Sequence, residues 1–118
     1  MVESAIGRDT VRNIVVYPTV SSIEGYAFQH VDVYEIYLPN TITSIGDYAF
    51  AEMRGSSTIP IYIYSETPPT IYGRTFYETS YSIFVPEDYY NNYVHRDDEW
   101  GEIVGNIYST TKPYPVVE

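Results

Sequence analysis

Reactive chemistry in this chain would have to come from two histidines, 16 acidic residues and a set of hydroxyls, because there is no cysteine. That removes disulfides, thiol nucleophiles and zinc-cysteine sites together. His30 and His95 lie in different segments, and neither has a second ligand at helical spacing, so no transition-metal site is expected. Asp97-Asp98-Glu99 is the one acidic cluster. It lacks the alternating oxygen ligands and central glycine of a calcium loop, and reads as a solvated connection ahead of Trp100. Glu52, Glu66, Glu78, Glu87 and Asp88 are the candidates for paired carboxylates in hydrolysis, but nothing in their spacing holds two at a defined separation. No nucleophile elbow surrounds a serine, and there is no glycine-rich phosphate loop. The expectation is a non-enzymatic chain with no catalytic residue, no metal and no cofactor.

What remains is recognition. Six Lys/Arg against 16 Asp/Glu give a net charge of −10. Phosphate backbones are bound through Lys and Arg, so nucleic acid is not an expected partner. No apolar run approaches the length needed to span a bilayer, so membrane insertion is not expected either. The 15 tyrosines stand out, since tyrosine offers a recognition surface large area, little rotamer entropy and a hydroxyl.

The elements that would position them repeat. Ile14 to Val31, IVVYPTVSSIEGYAFQHV, lies without a gap on Ile36 to Met53, IYLPNTITSIGDYAFAEM, after a shift of 22 positions. Ile14/Ile36, Thr19/Thr41, Ser22/Ser44, Ile23/Ile45, Tyr26/Tyr48, Ala27/Ala49 and Phe28/Phe50 are identities. A looser copy from Ile61 keeps Ile61, Ile63, Ile71, Gly73 and Phe76, and a fourth strand signal begins at Ile83. Strand starts at 14, 36, 61 and 83 are 22, 25 and 22 residues apart, inside the range of about 20–29 residues for leucine-rich repeats.

The pattern I-x-L-P-x-x-[IV]-T-S-I-G-x-x-A-F over residues 36–50 resembles the BspA-like (type 5) leucine-rich repeat. Thr67-Pro68-Pro69-Thr70 through Phe76, then FVPEDYYNNY and Trp100, resembles the segment that closes arrays of that family. The chain departs from the family by holding most core positions with isoleucine, with Leu38 its single leucine. Val31 and Met53 stand where the family often has cysteine; both changes keep the apolar character of the slot. The resemblance implies an α/β repeat solenoid, leucine-rich-repeat-like, with one short parallel strand per repeat, about four rungs and a C-terminal capping helix. It also implies cell-surface adhesion or protein recognition, commonly in bacteria.

Within a repeat, Ile36 and Leu38 alternate with Tyr37 as in a strand with one buried face. Pro39-Asn40 ends the strand. Ile42 and Ile45 turn inward. Gly46 is expected where a side chain would clash or would demand an unfavourable φ. Glu24 occupies that position in the first copy and Gly25 follows, so a rearranged turn is expected there. Pro86-Glu87-Asp88 reads as a helix start, with the following helix lying over the last repeat and Trp100, Ile103 and Ile107 completing the closure. Residues 1–108 thus form the repeat unit, with closing segment 83–108, and 109–118 an extended tail, mobile or docked on a partner. Residues 1–13 read as the end of a repeat whose beginning is missing, with Ala5-Ile6-Gly7 matching Ser44-Ile45-Gly46. The N-terminal end is therefore expected to be covered by another chain or domain. The first ten residues show no leader pattern, so either the chain is not exported by that route or the sequence starts downstream of its leader.

If the isoleucines face inward, Val15, Tyr37, Tyr62 and Phe84 face outward and stack into one stripe, with Tyr64 near it at a strand end. This stripe is the candidate binding site, and a protein is the expected partner. Tyr and Phe also form strands well and ladder along a sheet with no partner at all. Carbohydrate is a further candidate ligand, lacking identifiable carboxylates or amides beside the rings. A structural component of a larger assembly, such as a virion or appendage decoration, is the alternative to adhesion. The location expected is extracellular or cell-surface by the resemblance, or else within a virion.

Overall fold

A computed structural model describes residues 12–55 and 57–116. Among the described residues the strands are β1 (Arg12–Val15), β2 (Ser22–Ile23), β3 (Val33–Leu38), β4 (Ser44–Ile45), β5 (Ile59–Ile63), β6 (Tyr81–Pro86) and β7 (Ile107–Thr110). Between the last two lie two short helices, α1 (Tyr90–Val94) and α2 (Glu99–Glu102), with one 3-10 turn before them (Glu87–Tyr89) and one after (Val104–Asn106). β1, β3, β5, β6 and β7 form one sheet in that order, every neighbouring pair parallel. β2 and β4 form a second parallel pair, continued by a bridge from Ser44 to Thr70.

The repeat spacing sets the register. Ile14 stands opposite Ile36, Ile36 opposite Ile61, Ile61 opposite Ile83, and Ile83 opposite Ile107. All five side chains are buried. Each brings roughly 1.5–3 kcal/mol of apolar burial against the neighbouring strand's isoleucine. The strands begin two or three residues earlier than expected, but Ile14, Ile36, Ile61 and Ile83 lie on consecutive neighbours, and β7 adds a fifth strand beyond them. Across the core, Phe28, Phe50, Phe76 and Tyr81 stack with ring centroids 5.3, 5.8 and 4.3 Å apart. Ile42, Ile45 and Ile71 are buried in the same core as the inner rings and the sheet isoleucines.

The turns that carry these rings are also paired from repeat to repeat. The amides of Tyr26, Phe28 and His30 donate to the carbonyls of Asp47, Ala49 and Ala51 at 3.2, 2.8 and 3.1 Å. Those of Tyr48, Phe50 and Glu52 donate to Arg74, Thr75 and Tyr77 at 3.1, 2.8 and 2.8 Å. Turn N–H groups that would otherwise lack partners are thereby satisfied without a long helix or strand.

Two expectations about these turns need correction. Gly46 does not adopt a positive φ; of the two reasons for a glycine there, close approach is the operative one. A Cβ on Gly46 would fall 2.4 Å from the Gly25 nitrogen. The first-copy turn is not rearranged either. Tyr26 and Tyr48 share a left-handed φ of 65° and 63°, and Ala27 and Ala49 donate to Glu24 and Gly46 at the same 3.2 Å. Only burial differs, since Ala49 is covered and Ala27 is exposed.

After β6 the helical segment folds onto the loop of the third repeat. The Tyr93 hydroxyl donates to the Ser65 carbonyl at 2.6 Å, and the Trp100 indole N–H to the Pro69 carbonyl at 2.6 Å. The two rings meet edge to face at 5.0 Å, both fully buried. Asp98 caps α2 by accepting from the Trp100 amide at 3.1 Å. The reading of residues 1–13 as the end of a repeat whose beginning is missing rests on residues 1–11, which lie outside the described residues.

Candidate functional site

The strands turn Ile14, Ile36, Ile61, Ile83 and Ile107 inward, so the residue after each of them forms one outward column. Val15 pairs with Tyr37, Tyr37 with Tyr62, Tyr62 with Phe84, and Phe84 with Tyr108. Ring centroids are 4.6 Å apart for Tyr37–Tyr62, 5.1 Å for Tyr62–Phe84 and 5.5 Å for Phe84–Tyr108. These distances follow the strand spacing of about 4.8 Å, so backbone pairing alone generates the ladder. Tyr108 extends the column beyond the four positions expected from sequence.

The column is not evenly exposed. Tyr108 is 48% exposed and Val15, Tyr62 and Phe84 are half-buried, but Tyr37 is 3% exposed and Tyr64 is 9%. Tyr37 points to the outer face as expected, with Tyr64 near it after the strand end, but both are covered rather than open surface. The cause is the tail. After β7 the chain doubles back across the carboxyl ends of β5, β3 and β1 and covers them.

Lys112 and Tyr114 make this cover specific. The Lys112 ammonium donates to the Tyr37 hydroxyl at 2.5 Å and lies 3.7 Å from Glu35 Oε1. It also sits 5.1 Å from the ring centroids of both Tyr37 and Tyr62, within cation–π range. The Tyr37 hydroxyl in turn donates a hydrogen bond to Glu35 Oε1 at 2.5 Å. Tyr114 stands edge-on to Tyr64 at 5.2 Å and to Tyr37 at 6.4 Å, and its hydroxyl donates to the Val16 carbonyl. Tyr64 in turn donates to the Lys112 carbonyl at 3.0 Å.

Burial under this cover disfavours ionised phenols. It pushes Tyr64 and Tyr114 up to about 12. Tyr37 is also raised, chiefly by burial and then by its bond to Glu35, with Lys112 opposing. The hydrogen bond to Tyr37 raises Lys112, so it stays a cation.

A second aromatic column, which the sequence reading did not place, runs along the turns. Tyr26 and Tyr48 stack at 5.0 Å, and Tyr77 follows at 5.6 Å, tilted. Arg74 lies 4.9 Å over Tyr48 and pairs with Asp47 at 3.0 Å. The signal was the Tyr26/Tyr48 identity at 22 residues.

The remaining candidates stay apart. His30 pairs with Glu52 at 2.7 Å in the open, while His95 is exposed in the loop after α1. Asp98 is taken up by its cap and by Arg96 at 2.6 Å. Among the described residues, no group of three His, Asp or Glu could hold a metal ion, and no helix is long and apolar enough to cross a membrane.

A family model for the BspA type leucine rich repeat region matches residues 6–93 in 6 copies. No curated protein matches the chain. The matched span holds β1 to α1 and stops short of Trp100, β7 and the tail.

Proposed function

The chain belongs to the BspA-type leucine-rich-repeat family, whose repeats commonly serve as surface-associated protein-binding or adhesion modules and are generally non-enzymatic, and we propose that it recognises a protein partner through the aromatic column of its sheet. The observation that carries this reading is the column itself. Tyr62, Phe84 and Tyr108 form a continuous stacked strip that is left partly open beside a tail already seated on its neighbours. A strip of stacked rings presents their edges and hydroxyls rather than free faces, which suits a peptide chain better than a sugar ring that stacks flat. In the same reading the molecule is a solenoid, and Tyr93 and Trp100 make the helical segment its C-terminal closure.

A phage-displayed random peptide library panned against the immobilised chain tests this. Clones enriched on the native chain are expected to bind at least tenfold more weakly to the Tyr62→Ala, Phe84→Ala double variant, whose folding is checked by circular dichroism. The reading fails if no clone is enriched, or if enriched clones bind the double variant equally well.

A further inference from the structure

The tail is bound to the sheet as a ligand would be, and its contacts describe what the site reads. Lys112-Pro113-Tyr114-Pro115 carries two prolines, which hold an extended backbone and remove amides that would need partners. Its lysine enters a seat made of the Glu35 carboxylate, the Tyr37 hydroxyl and two ring faces. Its tyrosine enters a second seat between Tyr64 and Tyr37, with the Val16 carbonyl at the bottom as acceptor. Between the two, the Tyr64 hydroxyl donates to the tail's own carbonyl at Lys112. Every one of these contacts uses a side chain or a carbonyl of the four-residue segment. None needs that segment to be joined to β7.

Resting on the reading of the sheet face as the binding surface, we propose that the face recognises an extended, proline-flanked peptide of a partner protein with a lysine two residues before a tyrosine, and that the chain's own tail is the resident occupant this partner displaces. Charge favours such a partner. The chain carries a net charge of −10, and Glu35 provides the carboxylate at the lysine seat. A tethered tail competes at an effective concentration in the millimolar range, so a free peptide binds the native chain weakly until the tail is released. Lysine and tyrosine seats of different shape, held apart by a proline, also give direction. A peptide of reversed sequence would put a cation against the Val16 carbonyl pocket and a phenol against Glu35.

The test uses the full chain and a fluorescent peptide, TTKPYPVVE. Fluorescence anisotropy is measured against the native chain and against the Lys112→Ala, Tyr114→Ala chain, whose tail has lost both anchors while the seats are intact. The released chain is expected to bind at least tenfold more tightly than the native one. Replacing the peptide's Lys or its Tyr by Ala, or Glu35→Gln in the released chain, is expected to weaken binding fivefold or more. Should the double variant fail to fold, Lys112→Ala alone serves as receptor with the same order of affinities expected. Equal binding to native and released chains, or to the native and doubly substituted peptides, overturns the proposal. So does a concentration-dependent dimer of the native chain that the tail substitutions abolish, which would give the seat to a second copy. Library clones that depend on Tyr62 and Phe84 while TTKPYPVVE fails to bind would keep the aromatic face and remove this peptide chemistry.

Discussion

Gly46→Ala probes the repeat-to-repeat contact most sharply. The added Cβ would meet the Gly25 nitrogen at 2.4 Å, the Gly25 Cα at 2.7 Å and the Glu24 carbonyl carbon at 2.9 Å, all of them backbone. No side-chain rotation relieves such a contact. Ordinary packing starts near 3.4 Å, so the two turns must separate by about 1 Å, from 2.4 to 3.4. The Gly46 amide donates to Ile23 at 2.8 Å and the Tyr26 amide to Asp47 at 3.2 Å, on either side of the contact. A separation of that size takes at least one of these bonds out of range. Overpacking costs about 1–3 kcal/mol and a lost buried bond about 1 kcal/mol more, giving roughly 2–4 kcal/mol. For a domain of this size that corresponds to a midpoint lowered by about 10 °C in scanning calorimetry. Gly73→Ala is the matched control. Its nearest neighbour would be a Glu99 side-chain oxygen at 3.9 Å, so it should melt within about 3 °C of the native chain. A Gly46→Ala chain that melts alongside the control would refute the packing argument.

Two further outcomes follow from the same geometry. Tyr93→Phe strips the buried Ser65 carbonyl of its donor and should cost about 1–2 kcal/mol in urea unfolding, with a slope unchanged from the native chain. Alkali should release the tail. The docked phenols of Tyr64 and Tyr114 titrate at about 12, above the ordinary value near 10, so the docked state holds protons that the released state gives up. Docking is then fully stable below about pH 10 and weakens as pH rises toward 12, read as a late rise in tyrosinate absorbance whose amplitude shrinks in the Tyr114→Ala chain, while Tyr81 and Tyr93, raised by burial away from the tail, still titrate late.

The strand register was open to reading because isoleucine recurs every 22 to 25 residues and every strand buries the same face. Ile42, Ile45, Ala49 and Phe50 went inward for the same reason. β7 was harder to see. Ile107-Tyr108-Ser109-Thr110 matches no repeat and alternates too briefly to signal a strand. The cover on Tyr37 and Tyr64 could not be read at all. A proline-containing tail has no period, and Lys112 meets Tyr37 from 75 positions away. Alternation says which way Tyr37 points, whereas its burial depends on what folds over it. At Gly46 two local causes predict the same residue, and only the distance to Gly25 separates them. The Tyr26/Tyr48 column was present as an identity, but the left-handed φ that turns both rings outward leaves no mark on a residue other than glycine.

Nuclear Overhauser contacts in the native chain in solution measure directly whether the tail lies against the sheet. The ring protons of Tyr114 should show cross-peaks to the rings of both Tyr37 and Tyr64, and the Lys112 side chain to the rings of Tyr37 and Tyr62. Random-coil shifts for residues 112–115, with no such cross-peaks, would show that the tail does not dock.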